Sequence, residues 1–257
     1  MADYKNFRTS AATRADASID QGLRSYMLGV YNTMAIGLVI TAIAAYVLAA
    51  IATTTDSTEA VGTFANGVML TRLGAAVYTS PLAYVIMFAP LVAVLFLSFK
   101  IQSLSTSSAR TLFFVYAGLV GLSISSILLR YTSGSITQTF LITAASFGAL
   151  SLYGYSTKRD LTGFGSFLFI GLFGIILASL VNLFLASSAL QFTISVIGVL
   201  VFAGLTAYDT QKIKIMYYQE DSVENRGRKI IMGALALYLD FINMFIMLLQ
   251  LMGQNRN

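Results

Sequence analysis

Long apolar stretches constrain the fold of this chain more than any other feature. A helix that crosses the hydrocarbon core of a bilayer needs about 20 mostly apolar residues. The stretches of roughly that length are residues 26–52, 82–99, 111–129 and 136–153, two crossings within 161–208, and residues 230–252. SSALQ, residues 187–191, is the predicted turn between the two crossings within 161–208. The sequence therefore predicts an all-α polytopic membrane protein with seven transmembrane helices.

The composition supports this class of protein. Hydrophobic residues make up 57% of the 257 residues and charged residues only 11%, whereas an ordinary soluble domain has roughly 25% charged residues. The chain also contains no cysteine and no histidine. Disulfides, thiolate chemistry, zinc sites built from cysteine or histidine, and Ser-His-Asp catalysis are therefore excluded, and no cofactor is expected.

The basic residues indicate an orientation in the membrane. Cytoplasmic segments of membrane proteins carry an excess of lysine and arginine. If the N-terminus is cytoplasmic, only Arg72, Arg130 and Arg256 of the 16 basic residues fall on the outer side. We predict a cytoplasmic segment 1–24, a single seven-helix domain 25–253 and a short tail 254–257. This bias, together with anionic lipid, explains the net charge of +5, so the expected partner is the lipid bilayer and not nucleic acid.

Two aspartates interrupt the apolar stretches. Asp240 lies in the middle of the last stretch, and Asp209 lies within FAGLTAYDTQKIK, residues 202–214. A carboxyl group in the membrane is costly unless it is paired or hydrated, so an acid at such a position usually has a function. If the last two helices form an antiparallel hairpin, the two acids are equally far from its midpoint. We therefore expect them at one depth.

Facing each other, the two carboxyl groups can share one proton and titrate as a unit. Without that proton, the pair of Asp209 and Asp240 repels itself or holds a hard cation such as Ca²⁺ in transit. The alternative is that Asp209 only pairs with Lys212, one turn further along its helix. Asn243, one turn beyond Asp240, either lines the same path or hydrogen-bonds a neighbouring helix.

Four segments carry a resemblance to a known family. The motif around Asp209 and ALALYLDFINMFIMLLQLMG, residues 234–253, resemble the transmembrane Bax inhibitor motif family, also called the Bax inhibitor-1 family. GYSTKRDL, residues 154–161, and the apolar run 179–205 are similar to its bacterial branch. The resemblance extends over most of the chain.

The resemblance implies both a fold and a function. The fold is a seven-helix bundle with the last helix at its centre, in a bacterial cytoplasmic membrane. The function is a pH-sensitive leak of cations, chiefly Ca²⁺, whose two functional aspartates correspond to Asp209 and Asp240. The family also has a basic residue that engages this pair, and the matching position is Lys100. A lysine there lacks the bidentate geometry of arginine.

Alternative functions use the same residues. One is a non-conducting regulator that binds a membrane protease or a channel. Another is an intramembrane aspartyl protease, which also needs an aspartate on each of two consecutive helices.

The sequence departs from the protease pattern. Presenilin-type proteases carry Gly-x-Gly-Asp at the second aspartate and Pro-Ala-Leu afterwards, whereas Leu237, Tyr238 and Leu239 precede Asp240 and no proline follows Pro90. The chain is therefore not expected to be an enzyme. A proton-coupled transporter of an organic solute is a further alternative, although no pair of broken helices indicates a solute pocket.

Overall fold

In the computed structural model of the chain, residues 3–64 and 66–256 are described, with side chains described from residue 20 onward. The elements in this part of the chain are α1 (Asp3–Ala52), β1 (Gly62–Thr63), β2 (Met69–Leu70), α2 (Arg72–Thr79), α3 (Leu82–Lys100), α4 (Thr106–Ile124), α5 (Ser126–Arg130), α6 (Ser133–Ser156), α7 (Thr162–Leu185), α8 (Ser188–Ile215) and α9 (Val223–Met252). Seven helical segments of the described chain are long and apolar enough to cross a membrane, with α4 and α5 together forming one of them. The predicted all-α polytopic fold is confirmed.

The last helix, α9, lies at the centre of the bundle. In its most apolar stretch 61% of the residues are buried, compared with 6% for α3. α9 packs against α8, α1, α6 and α4, and its fully buried side chains include Leu237, Tyr238 and Met244. α3 packs on α4 and the short α2, and leaves most of its apolar side chains exposed. A helix that is apolar all round at the edge of a bundle faces lipid.

Two glycines allow close main-chain contacts between neighbouring spans. A Cβ atom at Gly154 of α6 would collide with the main-chain carbonyl of Ala207 on α8. A Cβ atom at Gly121 of α4 would collide in the same way with the carbonyl of Thr41 on α1. Small residues at such positions let helix backbones approach closely and gain packing contacts in lipid. These contacts hold α6 on α8 and α4 on α1.

One end of the bundle, which we call the hairpin end, carries the antiparallel pair of β1 and β2. The loop between these strands reaches the last residues of the chain, because Asn66 Nδ2 donates to the carbonyl oxygens of Leu129, at 2.7 Å, and Arg256, at 3.3 Å. The main-chain N–H of Thr132 donates to the carbonyl of Gln254 at 3.0 Å. The start of α6 and the end of α9 are thus held together at this end.

The opposite end, which we call the basic end, is held by long side chains that donate to main-chain carbonyl oxygens. The donor and acceptor pairs are Gln211 Nε2 and Arg159 O (2.8 Å), Lys214 Nζ and Tyr155 O (2.7 Å), Lys229 Nζ and Met216 O (2.9 Å), Arg226 and Gln219 O (3.0 Å), and Arg228 and Gln102 O. Several of these oxygens lie at helix C-termini, whose partial negative charge favours cationic donors. That the basic end faces the cytoplasm stays a prediction from the charge bias.

Candidate functional site

Asp240 is the exceptional polar side chain of the central helix. It is 3% exposed, and its Oδ2 is buried with no hydrogen-bond partner among the described residues. Nearby polar groups on α9 are bonded: Tyr238 Oη lies 2.6 Å from Thr41 Oγ1, and Asn243 Nδ2 donates to Leu239 O at 2.8 Å. An unsatisfied buried acceptor costs about 1–3 kcal/mol. Among the described residues, no hydrogen bond to Oδ2 and no ion pair accounts for a carboxyl group at this position.

Asp209 lies on α8, six positions before the end of this helix at Ile215. Its side chain is half-buried. The neighbouring residues of the motif hold α8 in place, since Thr210 Oγ1 lies 2.9 Å from Ser151 Oγ and Gln211 Oε1 accepts from the main chain of the α6–α7 connection. Within the described part of the chain, Asp209 itself makes no side-chain hydrogen bond or ion pair. Its neighbours have structural roles, and Asp209 has none of the same kind.

The two aspartates lie on helices that pack against each other, about one turn apart along the helix axis. Ile213 of α8 packs on Gly233 of α9, and this antiparallel register aligns Asp240 with Thr206. The resulting offset from Asp209 is three residues, or ~5 Å at 1.5 Å per residue. The carboxyl groups are close enough that the charge of Asp209 acts on Asp240. The site is therefore a pair of acids at the interface of α8 and α9, one fully buried and one half-buried.

The predicted supporting residues are arranged less closely. The charge of Lys212 acts on Asp209, but its Nζ is directed to the ring of Tyr208, 5.8 Å from the centroid. Lys100 is exposed in the last turn of α3. In the described chain neither lysine lies within ion-pair distance of Asp209 or Asp240. Among the residues whose side chains are described, Asn243 bonds within its own helix and not to a neighbouring one.

Sequence reasoning missed a chain of hydroxyl groups that ends beside Asp209. Tyr31 Oη on α1 lies 2.5 Å from Ser151 Oγ on α6, which lies 2.9 Å from Thr210 Oγ1 on α8. Tyr31 and Ser151 also line a cavity of about 520 Å³ together with Arg24. A single serine or threonine in an apolar span is most often a packing residue. The sequence therefore contains no signal that distinguishes these three hydroxyl groups from the other hydroxyl groups of the spans.

Seven span-length helices and a pair of acids at the interface of the last two define a polytopic membrane protein with a membrane-embedded acidic site. The family model described as "Inhibitor of apoptosis-promoting Bax1" matches residues 23–257. The chain belongs to this family, the Bax inhibitor-1 family, and the resemblance seen in its motifs is confirmed.

Three relatives of the chain match it over nearly their whole length. Inner membrane protein YbhL of Escherichia coli (strain K12) is 47% identical over 237 residues, which is 91% of this chain and 94% of YbhL. A protein of Caulobacter vibrioides is 44% identical over 252 residues, which is 97% of this chain and 96% of that protein. A protein of Rickettsia prowazekii is 45% identical over 257 residues, which is 100% of both chains. The similarity therefore extends across all seven spans.

Proposed function

We propose that the protein is a pH-sensitive leak pathway for cations, with Ca²⁺ as the permeant ion, gated by Asp209 and Asp240. The observation that carries this proposal is the Asp240 carboxyl group, buried in the central helix with Oδ2 unpartnered and a second acid within electrostatic reach. Membership of the Bax inhibitor-1 family supports the same function. We place the protein in a bacterial cytoplasmic membrane, in keeping with the name of YbhL, with its N-terminus in the cytoplasm.

In the proposed closed state the two acids share one proton and hold α8 against α9; the described residues do not make this contact here, since Asp209 has no side-chain hydrogen bond and Asp240 Oδ2 has no partner. Loss of this proton leaves two negative charges in a site with little water. At the ~5 Å axial offset and an effective dielectric constant of ~20, their repulsion is at most about 3 kcal/mol. Because 1.4 kcal/mol changes an equilibrium about tenfold, this repulsion shifts the balance between closed and open helices by up to about two orders of magnitude.

The deprotonated pair is also an attractive site for a passing cation. Tight Ca²⁺ sites supply six to eight oxygen ligands, whereas two aspartates supply at most four carboxylate oxygens. Conduction requires that an ion binds well enough to enter and weakly enough to leave. In this scheme Lys212, whose charge acts on Asp209, is the basic group that opposes opening, and Asn243 is the next polar group along the path.

The test measures Ca²⁺ flux through purified protein in protein-free liposomes that contain a Ca²⁺-sensitive dye, over a range from mildly acidic to mildly alkaline pH. Asp240→Asn and Asp209→Asn are each expected to remove the pH dependence of the flux, because neither variant can form a doubly charged pair. Glu220→Gln is the matched control, since Glu220 is an exposed acid in the α8–α9 connection that accepts only from Tyr218 among the described residues. It is expected to leave the flux unchanged.

Each other outcome of this test has a defined meaning. An unchanged pH response in both aspartate variants refutes the proton-sharing latch. A wild-type protein that folds but conducts no ion in pure lipid favours the alternative of a non-conducting regulator of a membrane protease or channel. Cleavage of a membrane substrate that disappears in either aspartate variant favours the intramembrane protease.

A further inference from the structure

A cleft between α1 and α6 opens at the hairpin end of the bundle. Its inner part is a cavity of about 400 Å³ and its outer part a crevice of about 990 Å³. Both parts are lined by Tyr46, Leu128, Ile136 and Thr137, so they adjoin each other. Tyr46 is 70% exposed, which places the opening on the surface that faces the bilayer. We call this feature the α1–α6 cleft.

The inner part of the cleft is apolar. Its lining includes Leu38, Ala45, Ile124, Phe140, Phe241 and Phe245. The hydroxyl of Thr41, which also lines it, is already bonded to Tyr238 and to a carbonyl of α4. This part is open on one side, since Ala42, Tyr46 and Phe140 of its lining are exposed. Its walls therefore suit a hydrocarbon chain and not water.

The mouth of the cleft has the opposite chemistry. The outer crevice is lined by the guanidinium-bearing Arg256 and by several hydroxyl-bearing residues, among them Thr55 and Ser133. The main chain of Arg256 is fixed in place, because its N–H donates to Arg130 O at 2.8 Å and its carbonyl accepts from Asn66. Within the described chain the Arg256 guanidinium forms no ion pair. Guanidinium and hydroxyl groups are the donors that recognise a phosphate.

We propose that the α1–α6 cleft binds one phospholipid molecule from the leaflet at the hairpin end, with one acyl chain in the inner cavity and the phosphodiester at Arg256. The cleft is cationic and hydroxylated at its mouth, and aromatic and aliphatic within. This order complements the anionic phosphodiester and the acyl chains of a phospholipid. An acyl chain that enters the cleft exchanges one hydrocarbon environment for another, so transfer from water contributes nothing. The headgroup contacts and the shape of the cleft therefore decide which lipid stays bound.

The bound acyl chain lies against the centre of the protein. Phe241, at the inner end of the cleft, directly follows Asp240 in α9, and Thr41 bonds to Tyr238 on the same helix. The lipid site itself does not depend on the proposed leak, since it requires only the cleft and the bilayer. Its test uses binding as the readout and not flux.

The experiment uses the full chain in phosphatidylcholine vesicles that contain a small fraction of phosphatidylglycerol with a photoactivatable diazirine in one acyl chain. After illumination, mass spectrometry of peptides locates the adducts. They are expected to concentrate on residues 38–46 of α1 and 136–140 of α6. Ala42→Phe, at an exposed position that lines the cleft, is expected to lower this labelling several-fold while the thermal unfolding midpoint stays unchanged.

Two controls complete the design. Leu180→Phe adds the same ring on the lipid-facing side of α7, where Leu180 is 52% exposed, and is expected to leave labelling of the cleft unchanged. Arg256→Gln is expected to reduce labelling by the phospholipid probe to the level seen with a diazirine diacylglycerol, which lacks the phosphate. Labelling spread evenly over α7 and the cleft, or unaffected by Ala42→Phe, overturns the site. Equal labelling by both probes in the wild type overturns the role of Arg256.

Discussion

The bonded pair of Thr41 and Tyr238 predicts how the central helix responds to the loss of a single hydroxyl group. Their oxygens are 2.6 Å apart, and Thr41 Oγ1 also lies 2.9 Å from Ala117 O and 3.0 Å from Gly37 O. A threonine hydroxyl has one hydrogen to donate. Thr41 therefore donates to a carbonyl oxygen and accepts from Tyr238, which is fully buried.

Because Tyr238 donates and Thr41 accepts, the variants Thr41→Val and Tyr238→Phe are expected to lose different amounts of stability. Thr41→Val removes the acceptor and leaves a buried phenol without a partner, which costs about 1–3 kcal/mol. Tyr238→Phe removes the donor but leaves Thr41 bonded to a carbonyl oxygen, so the expected cost is about 0.6 kcal/mol, the average for hydrogen bonds between membrane helices. The double variant leaves no donor unpaired. It is therefore expected to be more stable than Thr41→Val alone, by about 1 kcal/mol.

The free energy of unfolding of all four proteins is measured by reversible unfolding in mixed micelles with a denaturing detergent. Thr33→Val is the matched control, because Thr33 Oγ1 donates only to Gly29 O of its own helix among the described residues, and it is expected to change stability little. A double variant that is less stable than Thr41→Val would contradict the assigned direction of donation. Equal costs for the two single variants would contradict it as well.

Two further predictions concern a helix contact and an exposed acid. Gly154→Ala is expected to destabilise the fold by at least about 2 kcal/mol or to prevent folding, because its Cβ collides with the carbonyl of Ala207, which cannot move without α8. Gly148→Ala, on the same helix with open space around it, is expected to be tolerated in the same unfolding assay. Hydrogen bonds from the main chain and the side chain of Thr58 hold the pKa of Asp56 below its ordinary value. The stability that this carboxylate contributes is therefore present above the pKa of Asp56 in the unfolded chain. It is lost as the pH falls through the lower pKa of Asp56 in the folded protein. Thr58→Val removes the side-chain bond and keeps the main-chain bond, so it is expected to raise the pKa of Asp56 part of the way back, as followed by carboxyl NMR shifts; an unchanged pKa would contradict the assignment.

The number and order of the spans could be predicted from the sequence, but their ends could not. In lipid every main-chain polar group must be satisfied within the helix, so hydropathy alone identifies the crossings. The ends depend on single capping residues. α7 ends at Leu185 because Ala186 adopts a left-handed conformation with φ 49°, and α8 begins at Ser188 because Ser187 Oγ accepts from Leu190 N. The turn is therefore shorter than the predicted 187–191.

The two aspartates could also be predicted, but their relative depth could not. Equal distance from the middle of the connection predicted one depth, whereas the packed register separates them by about one turn. The reason is that the first turns of α9 extend past the end of α8 at the basic end. Lys229, in the second turn of α9, is the residue that reaches Met216 just after α8. The midpoint of the connection in sequence is thus not the midpoint of the packed hairpin. Side-chain contacts between the two helices fix the register instead.

Three bonds at the basic end depend on the donor side chain and not on the side chain of the acceptor residue. Gln211, Lys214 and Lys229 each bind an oxygen that every amino acid possesses. A substitution at Tyr155 or Arg159 keeps that oxygen, so the tie survives, whereas loss of the donor removes it. Mutations of these acceptor residues are therefore expected to be better tolerated than mutations of the donors, whereas Asp221 in the α8–α9 connection is constrained by its ion pair with Lys229.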